Sequence, residues 1–244
     1  MIAQLGMYDP PPLHAANNRF WQEIRTRLGY GPKPLTRDGD VWQVWQSPSL
    51  LLSQTCGYPY RARLHGKVTL LGTPDYGLPD CPPGYYYSVF VVAADNRVTS
   101  PNELLSGCFA FNDALSQSGW AAPRTYFGVT PARLLETGSH AASAQAVAEN
   151  HAQMAALDAV TWEILKAHDP VARDLRVIAR TQPTPALPYI SALGRDPTPI
   201  AAAIKGAIRD LSSDVRDLLM LKDLVPIPAS AYLAVPTPPP PEQR

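Results

Sequence analysis

Apolar residues at Phe20, Trp21, Ile24 and Leu28 of NNRFWQEIRTRL keep the spacing of one helical face and predict a helix over 17–28. Ahead of it, IAQLGMY reads as a short buried strand ending at Tyr8, and Trp42 to Trp45 begins a second helical piece. LLLS at 50–53 and KVTLLGTPDYG predict strands, the second stopped by Gly72 and Pro74. YYYSVFVVAAD is aromatic and β-branched, a strong strand pattern. The pattern then alternates: a strand CFAFN, a helix 118–127 broken by Pro123, a strand RLLETG, and an alanine-rich helix 140–149. A strand QMAALD, a helix 159–167 and a strand LRVIAR come next. Helices over 199–211 and 213–221 come after a proline-rich stretch, and the tail PTPPPPEQR is expected to be extended and solvated.

Strands alternating with helices at this spacing predict an α/β chain with mainly parallel, helix-covered sheets. Two stretches, 85–95 and 177–193, read as crossings into and out of a central α/β unit. The expected organisation is therefore a first lobe from 1–84 plus 190–235, a second from 85–189 that includes the hinge strands, and a tail over 236–244. Ligands of such sheets bind beyond the carboxyl ends of the strands, which directs attention to the loops after Tyr8, Ser53, Asn112, Thr137 and Leu157.

Composition narrows the picture. Of 244 residues, 45% are hydrophobic and 17% charged, which fits a folded globule. Lys+Arg and Asp+Glu both number 21, so there is no basic footprint for nucleic acid or an anionic membrane surface. No run approaches the ~18 apolar residues of a membrane span. Neither nucleic acid nor membrane insertion is expected, and the chain is expected to be a monomer. MIAQLGMYDPPP carries no secretion signal, which alone would place the protein in the cytoplasm. Cys56, Cys81 and Cys108 form no CxxC pair and lie near no zinc-type histidine; a Cys56–Cys81 disulfide stays open. No metal and no cofactor are expected.

The loops carry the chemistry. Tyr8 follows the first strand; Gln54, Thr55 and Tyr58 follow the second. Ser116, Gln117, Ser118 and Gly119 precede one helix, Thr137-Gly-Ser139-His140 opens another, and Asp158 a third. Unpaired amides and aligned peptide dipoles make a helix start accept an oxyanion without Arg or Lys. The serine hydroxyls would donate to the same oxygens, and Gly119 would let the backbone approach. Asp158 would accept a proton from a monoprotonated oxyanion, or bond an ammonium, and so disfavour sulfate. Ser118 also reads as an ordinary N-cap, Asp158 as the cap of the helix over 159–167 and His140 as a plain first-turn residue, and the sequence leaves both readings open.

SQTCGYPY at 53–60, SQSGW at 116–120 and TGSHAASAQAVAENHAQMAALDAVTW at 137–162 resemble the phosphate, phosphite and phosphonate-binding proteins of ABC transporters. The likeness spans about Ile2 to Val235. It implies the two-lobed type II periplasmic-binding-protein fold, closing on its ligand about a two-strand hinge, and a periplasmic location. It also implies an ABC permease as partner. Carried over residue by residue, Ser116, Gln117 and Ser118 would cradle the oxyanion, His140 would donate to it and Asp158 would accept. Tyr8 and Tyr58 would close from the other lobe, and Thr55 and Gln54 are added by loop position. Asn150-His151 stands where Gly and a basic residue are expected, but Asn tolerates the left-handed backbone that ends a helix.

Two other functions compete. A cytoplasmic sensor could bind a small aromatic or amino-acid-like ligand, with Tyr8, Tyr58, Tyr60, Trp120 and Trp162 as stacking surfaces. An enzyme could use Cys56 as nucleophile, His140 as base and Asp158 as orienter, although no helix start near Cys56 is evident. The reading adopted is a solute-binding protein that captures a small phosphorus oxyanion between its lobes and performs no chemistry.

Overall fold

The structure is a computed structural model, which describes residues 1–241. The chain divides into two compact units, Met1–Tyr85 with Pro185–Ala234, and Tyr86–Thr184 with residues 235–241. The return crossing therefore lies at 184/185 rather than at the expected 189/190; of the expected tail, residues 236–241 are extended and largely exposed while grouping with the second unit, and 242–244 lie outside the described residues.

Unit 1 is built on a five-stranded sheet. Its strands are β1 (Ile2–Ala3), β2 (Leu50–Gln54), β3 (Val68–Asp75), β11 (Tyr189–Ala192) and β12 (Asp223–Val225), in the order β1-β2-β11-β3-β12. β1 runs parallel to β2, and β11 runs antiparallel to both β2 and β3. β1, β2 and β3 therefore point the same way and end at one edge of the sheet. Helix α1 (His14–Leu28) buries Phe20, Trp21 and Ile24 and stops at Gly29, whose φ of 75° gives a left-handed cap. α7 (Pro197–Asp210) packs beside it on Ile200, Ala203, Ile204, Ala207 and Ile208. Each fully buried apolar side chain of this kind contributes ~1.5–3 kcal/mol. Short helices complete the unit: α2 (Val41–Trp45), α3 (Gly57–Pro59) running into a π-helical turn at Tyr60–Leu64, α8 (Ser213–Leu218) and α9 (Ala229–Leu233).

Unit 2 holds β5 (Ser88–Ala93), β6 (Cys108–Phe111), β7 (Arg133–Glu136), β8 (Met154–Asp158) and β9 (Leu175–Arg180), ordered β7-β6-β8-β5-β9. Its core is Phe90, Val92, Phe109, Phe111, Trp120, Met154 and Ala156. Helices α4 (Ala122–Phe127), α5 (His140–Ala148) and α6 (Ala159–His168) follow β6, β7 and β8 in turn. Two short strands, β4 (Tyr85–Tyr86) and β10 (Thr184–Pro185), pair where the chain passes from one unit to the other and back.

The α/β class is as expected, but the sheets are mixed rather than mainly parallel. β5 and β9, the strands adjoining the crossings, run antiparallel to their neighbours, whereas only the strands joined through helices run parallel. Several local expectations also change. After β1 the chain turns into a 3-10 helix at Gly6–Tyr8, so Tyr8 is not on a strand. β3 continues through Gly72 and Pro74 to Asp75. Gly72 manages this with a φ of 129° and no Cβ, since a side chain there would strike Leu224. Pro123 sits in the first turn of α4, where it breaks nothing. α8 ends at Leu218, short of the expected 221, and the three-residue β12 beyond it has no counterpart in the sequence pattern. Asn150 has a φ of 61°, the left-handed turn anticipated for it. Cys56, Cys81 and Cys108 are all thiols. No helix among the described residues is long and apolar enough to cross a membrane, and these residues hold no group of metal-binding side chains.

Candidate functional site

In unit 2, β7, β6 and β8 are parallel neighbours. Their carboxyl ends meet at one sheet edge, and each leads into a helix. Three helix starts thereby face the same edge, the geometry that concentrates unpaired amides.

The first begins one residue earlier than expected. Ser116 is its N-cap, its Oγ accepting from the Gly119 amide at 2.9 Å. Residues Gln117–Ala121 form a π-helical turn in which the Ser116 carbonyl accepts from both Trp120 and Ala121. Ser118 is therefore not the cap, and its hydroxyl is available for other work. Gly119 is required by space: a Cβ there would clash with Oδ1 of Asn112. Gln117 and Ser118 are buried, and the Ser118 carbonyl accepts from the Ser88 hydroxyl at 2.8 Å. Ser88 was not anticipated; only its place opposite Asp158 in the β5–β8 pairing brings it here.

The second helix start is capped by Ser139, whose Oγ accepts from the Ala142 amide at 3.0 Å. Thr137 Oγ1 lies 2.7 Å from Ser143 Oγ and bonds back to the Phe111 carbonyl, so this loop is tied to the end of β6. His140 Nε2 lies 2.9 Å from Ser118 Oγ, joining the first two helix starts. Burial of the ring lowers the His140 pKa to about 4; the backbone of Ala156 opposes this weakly, without a well-aligned hydrogen bond to the enclosed Nδ1. The imidazole is thus neutral at neutral pH. Asp158 is buried, and its Oδ1 accepts from the amides of Val160 and Thr161 at 2.8 and 3.0 Å. The capping expected of Asp158 is present, whereas that expected of Ser118 falls to Ser116, and Ser139 caps the helix that His140 opens. Capping does not account for Ser118 or His140.

Unit 1 gathers a different set at the common edge of β1, β2 and β3. Tyr8 packs edge-on against Tyr76, ring centroids 5.2 Å apart. The Tyr76 hydroxyl accepts from Gln54 Nε2 at 2.9 Å, and the same Nε2 donates to the Leu187 carbonyl. Tyr76 also bonds Tyr189, whose burial pushes its own pKa up. Thr55 is fully buried, and its Oγ1 has no hydrogen-bond partner among the described residues. Tyr58 lies in α3 with the Arg61 guanidinium 5.0 Å from its ring centre; burial raises the pKa of its phenol. Tyr76 and Tyr189 escaped the sequence reading because Tyr76 sits in what looked only like a strand stop.

The stacking surfaces of the aromatic-ligand reading are largely buried. Trp120 and Tyr60 are packed in hydrophobic cores rather than presented as stacking surfaces, and Trp162 is buried. Cys56 does stand at a helix start, as the N-cap of α3, yet its side chain does not cap that helix. A separate groove of about 810 Å³ between α1, α7 and α8 holds none of these residues. Most of its cations are engaged: Arg27 and Arg209 with Asp210, and Lys205 with Asp223.

Comparison with known proteins places this architecture. The chain's fold is similar to that of PhnD1 from Prochlorococcus marinus in complex with methylphosphonate, at TM-score 0.74 and 18% identity, covering 95% of this chain and 93% of that one. A Xanthomonas citri protein bound to ATP gives TM-score 0.70 and 17% identity, with 94% and 91% covered. A binding protein component of an ABC phosphonate transporter from Pseudomonas aeruginosa gives 0.68 and 20%, with 91% and 79% covered. No curated protein sequence matches the chain. The sequence profile of the ABC transporter phosphonate periplasmic substrate-binding proteins matches residues 52–231, well over half of the chain, and the chain belongs to that family.

Proposed function

We propose that this protein captures a small phosphorus oxyanion, a phosphonate, phosphite or phosphate, for ABC-type uptake, and that it catalyses no reaction. One observation carries the reading: three parallel neighbouring strands deliver three helix starts to one edge, with Ser118 and His140 already bonded across two of them. Backbone amides and a neutral imidazole supply donors to the anion without a fixed cation, which leaves release to the permease uncostly. Ser116 and Gln117 hold the turn, Ser118 and His140 donate, and Asp158 accepts from a protonated ligand oxygen or an ammonium. Tyr8, Thr55 and Tyr58 supply the second set of contacts from unit 1. The partner is an ABC permease, and the protein works as a monomer.

Titration calorimetry against methylphosphonate, phosphite, phosphate and sulfate tests this. Binding of at least one proton-bearing phosphorus oxyanion, with sulfate at least tenfold weaker, is expected. Equal affinity for sulfate would remove the role given to Asp158, and no binding of any of the four would remove the reading.

A further inference from the structure

As expected, the C-terminal segment 236–241 carries no helix or strand and is largely exposed, yet residues 235–241 group with unit 2. Trp120 explains why. It is buried, two residues beyond Ser118, tilted against Phe111 with ring centroids 5.4 Å apart, and its indole N–H donates to the Pro239 carbonyl at 2.9 Å. The root of the segment is fixed as well: in α9, Tyr232 is buried and donates through its hydroxyl to the Ala186 carbonyl at 2.9 Å. From Val235 the sequence runs VPTPPPP, through and beyond the Pro239 anchor. Proline fixes φ and favours an extended polyproline helix, so little conformational entropy is lost when such a segment docks.

The turn it touches is the one that carries Gln117 and Ser118. That turn is held at one end by Ser116, through its Oγ and its carbonyl, and at the other by the Trp120 ring. π-helical turns are rare and frequently found at functional sites. Here the wide turn is what allows Trp120 to reach the core while Ser118 meets His140.

We propose that Trp120 and the 236–241 segment form a clamp that positions the Ser116–Ser118 turn for ligand. Trp120 is a positioning residue, acting through the turn, and the inference rests on the oxyanion-site reading above. Two variants test it, a chain ending at Val235 and the full-length Trp120→Phe, which keeps an aromatic ring but lacks the N–H. In each, affinity for methylphosphonate is expected to fall about two- to tenfold, the range one neutral hydrogen bond supports. The combined variant is expected to be no weaker than the weaker single one, since both break the same contact. In the ligand-free shortened chain, amide hydrogen exchange at 117–121 is expected to speed up while the β6 and β8 amides stay protected. Additive losses, or unchanged exchange at 117–121, would overturn the clamp. If the unaltered protein binds no phosphorus oxyanion, the oxyanion reading fails, and the exchange measurement still decides the clamp.

Discussion

In unit 2 the polar groups gathered at the sheet edge are mostly backbone amides at three helix starts, fixed by their own caps. In unit 1 they are side chains: the phenols of Tyr8, Tyr58, Tyr76 and Tyr189, a threonine hydroxyl and a glutamine amide, placed by aromatic packing and a few side-chain hydrogen bonds. Both sets arise from the same device, three co-directional strands ending together. The two units differ in the element that succeeds each strand. A helix start offers a preorganised field that needs no rearrangement to meet an anion. A turn rich in Tyr and Thr offers donors whose direction depends on the neighbours. Under the proposed function, the helix starts of unit 2 are the groups that would fix the charge of the ligand.

Four substitutions or conditions probe that division. The largest effect is expected from Ser118→Ala combined with His140→Ala. Hydrogen bonds to a charged group are worth about 1.5–3 kcal/mol each, so their joint loss should weaken methylphosphonate binding more than 100-fold with the fold intact by circular dichroism. Retained affinity would break the assignment of charge binding to unit 2. Gly119→Ala comes next: overpacking against Asn112 should cost about 1–3 kcal/mol of stability and disturb the Ser118 turn. Asn112→Ala in the same chain should restore most of both in thermal melts and calorimetry, because it removes the obstructing atom.

The third concerns pH. The His140 pKa is lowered from 6.5 to about 4 in the folded protein. The unfolded chain takes up that proton first, so the contribution of this residue is full above about pH 6.5 and is lost as pH falls toward 4. The difference in urea unfolding between the unaltered protein and His140→Gln should therefore shrink over that window, by on the order of 3 kcal/mol at most. A pH-independent difference would mean that the ring is not held neutral. The smallest effect is expected for Tyr58→Phe in unit 1, about two- to fivefold in affinity, the loss of one neutral donor. A loss as large as that of the Ser118 and His140 pair would reverse the comparison.

The two units also differed in how readily the sequence disclosed them. SQSGW, TGSH and the LD before α6 are contiguous strings at helix starts, so the unit 2 candidates could be proposed from pattern and resemblance. The unit 1 cluster is assembled from residues far apart in sequence. Tyr76 and Tyr189 join Tyr8 and Gln54 only because β11 lies between β2 and β3, and no local pattern records that order. Helix and strand positions could largely be read from periodicity. Strand direction could not, because the antiparallel neighbours are the strands beside the unit crossings. The tail is extended and largely exposed as its composition suggests, but composition says nothing about which indole will bond to it, so the Trp120–Pro239 contact was not legible.

The most direct test is backbone amide NMR of the ¹⁵N-labelled protein titrated with methylphosphonate. The account predicts that the amides of 117–119, 140–142 and 159–161 shift most, together and with one dissociation constant. Shifts confined to other surfaces, such as the groove between α1 and α7, or saturation without movement of those three helix starts, would contradict it.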